Sequence, residues 1–92
     1  MTWLFKDSPD LAIITTRQVI DLGYPILRVT HDSDDGGWQF LCGTSNETDD
    51  ARVISLEEIL KRDETLAELH DLPLGWVAWR KTSNSPWQRQ KR

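Results

Sequence analysis

Residues 26–43 constrain the fold of this chain more than any other stretch. Ile26-Leu-Arg-Val-Thr-His31 alternates apolar and polar side chains with period two, and so does Trp38-Gln-Phe-Leu-Cys42. Between them lies His31-Asp-Ser-Asp-Asp-Gly-Gly37, in which Asp35-Gly36 is a favoured turn centre because both residue types tolerate positive φ. The pattern predicts a β-hairpin. A turn centred on Asp35-Gly36 pairs His31 with Phe40 and Val29 with Cys42, and a four-residue loop is expected to set His31 opposite Cys42. Both registers leave Leu27, Val29, His31, Trp38, Phe40 and Cys42 on one face, and Arg28, Thr30, Asp32, Gln39 and Leu41 on the other. A loop of odd length would turn half of the apolar set toward water and is rejected on that ground.

The flanking segments supply the rest of an α+β domain. Trp3-Leu-Phe5 reads as a short strand or hook, and Leu11-Ala-Ile-Ile14 as a buried strand. Thr15-Thr-Arg-Gln18 has the form of a capping box: a threonine hydroxyl caps an N–H three residues on, and Gln18 reaches back. The short helix it opens runs over 16–22 and stops at Gly23. Residues 43–52 are polar and acidic and read as loop, followed by Val53-Ile54 as a short strand or entry segment. Ser55-Leu-Glu-Glu58 is a second capping box, with Leu56, Ile59 and Leu60 as the buried stripe of its helix. Asp63 is placed to cap a turn or helix over 64–70, with Leu66 and Leu69 inward. Trp76-Val-Ala-Trp-Arg80 is the last strand, with Trp76, Ala78 and Arg80 on one face and Gly75, Val77 and Trp79 on the other. The expected fold is an antiparallel sheet of three to five strands with short helices packed on one face. Residues 1–82 form the domain, and 83–92 a basic, flexible C-terminal tail on which Trp87 can dock.

Charge is distributed unevenly. All 15 acidic residues lie in 1–79 with 6 basic ones, a balance of −9, whereas 80–92 holds Arg80, Lys81, Arg89, Lys91 and Arg92 and no acid. An acidic body repels nucleic-acid phosphates and steers toward a basic protein. No run of residues is long and apolar enough to span a bilayer, and the N-terminus lacks the pattern of a signal peptide. A single cysteine, Cys42, cannot form an internal disulfide, which suits a bacterial cytoplasmic protein.

His31-Asp…Asp-Asp-Gly-Gly-Trp-Gln-Phe-Leu-Cys-Gly43, the Leu-Glu-Glu-Ile helix and Asp71-Leu-Pro-Leu-Gly-Trp-Val-Ala-Trp-Arg80 resemble a family of small bacterial proteins. That family includes immunity proteins, class thirty-three, of polymorphic toxin systems. The likeness covers residues 11–82. It implies a cytoplasmic protein that binds and blocks a toxin of its own cell line, and it brings no catalytic or ligand residues.

Several clusters invite chemistry and fail on spacing. A calcium loop begun at Asp32 would place Gly36 at its third ligand and Gly43 where the bidentate glutamate belongs. His31 and Cys42 across a hairpin suggest a thiolate–imidazole pair, but no orienting third group or oxyanion hole is recognisable. Zinc needs about four ligands, and the chain offers only Cys42, His31 and His70. No metal, cofactor or enzymatic activity is therefore expected. The residues that point to a partner are Asp32, Asp34 and Asp35 in the turn, together with Trp79 and Arg80, since Trp and Arg are common interface anchors. The expectation is a monomer or weak homodimer that binds a basic protein such as a toxin. The alternative is a small regulatory or structural accessory domain.

Overall fold

The computed structural model describes residues 3–43 and 48–92. In chain order the elements are β1 (Ala12–Thr16), α1 (Arg17–Leu22), β2 (Arg28–His31), β3 (Trp38–Leu41), β4 (Ala51–Ser55), α2 (Leu56–Arg62), β5 (Trp76–Trp79) and β6 (Gln88–Lys91). Short 3₁₀ turns cover Thr48–Asp50 and Glu64–Leu69.

The hairpin forms with a register that differs from both expected ones. His31 pairs with Trp38 and Val29 with Phe40. The loop is centred one residue earlier than Asp35-Gly36: Asp32 N–H donates to Gly37 O at 2.8 Å, and Gly36 N–H to Asp32 O at 2.9 Å. Carboxylates inside the loop favour this wider turn, because Asp35 Oδ1 accepts the Gly37 N–H at 2.8 Å and Asp34 Oδ1 the Asp35 N–H at 3.1 Å. Gly36 closes it at φ 73°, a left-handed conformation that suits glycine. The shift is an even number of residues, so the faces stay as expected.

The sheet has six strands in the order β4-β1-β3-β2-β5-β6, and it is mixed rather than purely antiparallel. β1 and β3 run parallel, with Ile14 beside Gln39, and every other neighbouring pair is antiparallel. The parallel pair arises because the hairpin returns with β3 between β2 and β1. The larger strand count comes partly from residues 83–92. They are not a tail: Gln88–Lys91 forms β6 against β5, with Trp79 opposite Gln88 and Trp76 opposite Lys91. Of the expected loop over 43–52, residues 44–47 lie outside the described residues, and Ala51 and Arg52 belong to β4.

One face of the sheet carries the core. Ile13, Val29, Trp38, Phe40, Cys42 and Ala78 are buried together with Val19 of α1, Leu56 and Ile59 of α2, and Leu66 and Leu69 of the 3₁₀ turn. The N-terminal segment hooks onto this core instead of adding a strand. Phe5 meets Trp38 edge-on at 5.3 Å between ring centroids, and Trp38 Nε1 donates to Asp7 Oδ2 at 2.8 Å. A tryptophan can be buried here because its one polar hydrogen has a partner. The helices begin where the sequence places side-chain caps. Ser55 Oγ accepts the Glu58 N–H at 3.1 Å. In α1 the cap is Thr16, whose Oγ1 lies 3.4 Å from Val19 N. Gln18 does not reach back to the cap; its Nε2 donates to Asp50 Oδ2 at 2.9 Å and ties α1 to the start of β4.

The opposite face holds Ile14, Gln39, Thr30 and Val77 in one row across the strands. Val53 extends that row at β4, and Trp79 lies on the same face next to Arg28. Ile14, Val53 and Trp79 are all exposed there.

Candidate binding surface

The five residues singled out for a partner end up in four different situations. Asp34 and Asp35 are exposed at the tip of the hairpin. Asp32 is half-buried, accepts from Gln39 Nε2 at 2.8 Å and pairs with Arg92 Nη1 at 3.0 Å. Asp32, Asp34 and Asp35 line a concavity of about 730 Å³ together with Gln39, Lys91 and Arg92. Trp79 is 37% exposed on the open face of the sheet. It sits beside Arg28, four residues before Asp32, so it lies roughly 13 Å from the acidic turn by the rise of a strand.

Arg80 is not an interface anchor. Its side chain is 1% exposed and belongs to the core face. Nε and Nη2 donate to Ile26 O at 3.1 and 2.9 Å, and Nη2 also donates to Asp63 Oδ2 at 2.6 Å. Nη1 donates to Thr65 Oγ1 at 2.8 Å and to Ser83 O at 3.3 Å. A guanidinium has five N–H donors, and these bonds use the whole set. The group also lies 4.1 Å from the ring centroid of Trp87, a cation–π stack that docks the segment leading into β6. Burial raises the pKa of Asp63, but hydrogen bonds from Thr65 and Arg80 outweigh it and hold the carboxyl below its ordinary value of 3.8.

Three of the five basic residues of 80–92 pair with acids of the body. Arg80 meets Asp63, Arg89 Nη1 meets Asp71 Oδ1 at 2.8 Å, and Arg92 meets Asp32. The hydrogen bond from Arg89 also lowers the Asp71 pKa. The basic C-terminal segment is therefore folded back onto the acidic body, and Lys91 and Arg92 stand beside the acidic turn.

The pairing of His31 with Cys42 does not form. His31 lies flat on Trp38, with ring centroids 3.9 Å apart and planes 14° apart, and Nδ1 is 2.7 Å from Leu72 O. A backbone carbonyl only accepts, so Nδ1 carries a proton. Cys42 sits further along the sheet, 2% exposed, with Thr16 Oγ1 at 3.8 Å from Sγ. Among the described residues, no group of three or more His, Cys, Asp or Glu side chains is placed to hold a metal ion. No helix of the described residues is long and apolar enough to cross a membrane.

Two residues of the open face carried no functional weight in the sequence, namely Ile14 and Val53. The signal for Val53 was present as the alternation in Ala51-Arg-Val-Ile-Ser55, which sets Val53 opposite in sense to its apolar neighbour Ile54. For Ile14 there was none, because an apolar run looks the same whichever side faces water. No family model, curated protein or solved structure matches the chain.

Proposed function

We propose that this chain is a non-enzymatic protein-binding domain that recognises a basic partner through the open sheet face and the acidic turn at its end. The observation that carries the reading is the display of Ile14, Val53 and Trp79 on the face of the sheet opposite to the core. Large apolar side chains at a polar-rimmed surface are typical of protein-recognition sites. Asp34 and Asp35 supply the long-range attraction, and Trp79 is the candidate anchor. The resemblance to immunity proteins makes a toxin the specific partner, neutralised by occlusion rather than by chemistry, in the bacterial cytoplasm.

The test is calorimetric titration of the purified protein with the product of the directly adjacent gene. The reading expects a complex that Trp79→Ala weakens by about tenfold or more, the size of an interface hot spot. Absence of binding would remove the toxin-neutralising version. Binding indifferent to Trp79→Ala would move the contact off the open face.

A further inference from the structure

The two edges of the sheet are built differently. β6 presents Gln88, Arg89, Gln90 and Lys91, all exposed, a composition that discourages pairing with another strand. β4 presents Val53, 67% exposed, between the small residues Ala51 and Ser55. Its backbone polarity follows from one hydrogen bond. Leu56 N–H donates to Leu11 O at 2.8 Å, so by the alternation of antiparallel ladders Ile13/Ile54 and Thr15/Arg52 are the hydrogen-bonded pairs. The N–H and C=O of Val53 therefore point away from β1, along the plane of the sheet. β4 is terminal in the strand order, and among the described residues nothing pairs with that side of Val53.

The surroundings of this edge select a partner. Arg17 is engaged by Asp50, Lys61 by Glu57, and Arg52 Nη1 turns back to the carbonyls of Asp49 and Ala51. The exposed Asp49 and Glu58 stand as acidic flanks at the two ends of the strand, with the charge of Arg52 drawn back toward the Asp49 end. A second copy fits poorly. Antiparallel self-pairing about Val53 would set Arg52 diagonal to its own equivalent. Like charges in those positions are unfavourable.

We propose that β4 is a docking edge for an extended segment of the basic partner, which adds as a further strand hydrogen-bonded to the outward N–H and C=O of Val53. An apolar side chain of that segment packs on Val53 and Ile14 at the open face, and flanking lysine or arginine side chains meet Asp49 and Glu58. Main-chain hydrogen bonds supply affinity in such strand addition, and the alternate side chains supply selectivity. This inference rests on the protein-binding reading and names its mode.

The probe is a fluorescein-labelled peptide of alternating threonine and valine with lysines at both ends; the control carries glutamates there instead. Fluorescence anisotropy should show binding of the lysine peptide that weakens with salt, and none of the glutamate peptide. Val53→Pro deletes the outward N–H and leaves the ladder to β1 intact, a position where an edge strand accepts proline. It should weaken binding about tenfold, as loss of a main-chain bond with its local fit would. Amide exchange in the unaltered protein gives a second readout, since the peptide should slow exchange at Val53 and not at Gln90. Unchanged affinity in a folded Val53→Pro, or protection at β6 instead, would overturn the proposal. So would concentration-dependent self-association of the protein alone that Val53→Pro abolishes, because a second copy would then be the occupant. A whole partner that binds in calorimetry while the peptide fails would sink the edge and leave the protein-binding reading standing.

Discussion

Arg80 Nη2 lies 2.6 Å from Asp63 Oδ2, and this contact joins the last core strand β5 to the cap of the 3₁₀ turn at Glu64–Leu69. Five hydrogen bonds on one buried guanidinium tie β5, the Ile26 carbonyl, the cap and the loop at Ser83 into one unit. Arg80→Met should cost about 3–5 kcal/mol, because it leaves Oδ2 of a partly buried carboxylate and a buried carbonyl without their donor. Arg80→Lys should recover little of this, since an ammonium cannot span the same acceptors. Urea melts decide it, and a loss below about 1 kcal/mol would show that the network adds little.

The same carboxylate predicts a pH dependence. The pKa of Asp63 is lower in the folded chain than its ordinary 3.8, so its contribution is present above that value. It is lost as pH falls through 3.8 toward the folded value, because the unfolded chain takes up the proton first. Thermal melts of the unaltered protein and Asp63→Asn should differ at neutral pH, and the difference should shrink progressively as pH falls below 3.8. A constant gap across that range would assign the Asp63 contribution to packing rather than to charge.

Trp38 is 2% exposed, stacked with His31 and Phe40 and met edge-on by Phe5. Trp38→Ala should cost about 3–5 kcal/mol. Trp38→Phe keeps most of the ring contact and loses the bond to Asp7, so about 1–2 kcal/mol is expected. Denaturant midpoints for both variants measure the two parts separately, and equal losses would contradict the division.

The three turn aspartates should not respond alike. Asp34→Asn removes an exposed charge and should change stability by less than about 0.5 kcal/mol. Asp32→Asn weakens contacts to Gln39 and Arg92 and should cost up to about 1 kcal/mol, as partly exposed pairs do. Stopped-flow association with a basic partner should slow at low salt for Asp34→Asn and Asp35→Asn combined. The difference should vanish as ionic strength rises.

Cys42, 2% exposed in the core, should react with a disulfide-exchange reagent only after unfolding. Rapid labelling of the native protein, followed by thiol absorbance, would place it in a more open setting than the core.

Much of the local structure was legible in the residues alone. Period-two alternation identified β2 and β3, side-chain oxygens at Ser55 and Asp63 marked where helical turns begin, and Gly23 marked where α1 ends. Face parity was also determined, because an even register shift leaves every side chain on its side of the sheet. The tertiary structure alone decided the register itself, since hydrogen bonds from loop carboxylates stabilise a longer turn than Asp35-Gly36 suggests. It decided that residues 88–91 form a strand, because their polar composition suits a sheet edge as well as it suits a solvated tail. It decided the fate of Arg80: an arginine after two tryptophans has the composition of an interface anchor, and only the acceptors of Ile26, Asp63, Thr65 and Ser83, distant in sequence, make it a core residue. Long-range contacts of that kind leave no periodicity to read. The same holds for the open face, where Ile14 and Val53 are exposed because the helices pack on the other side.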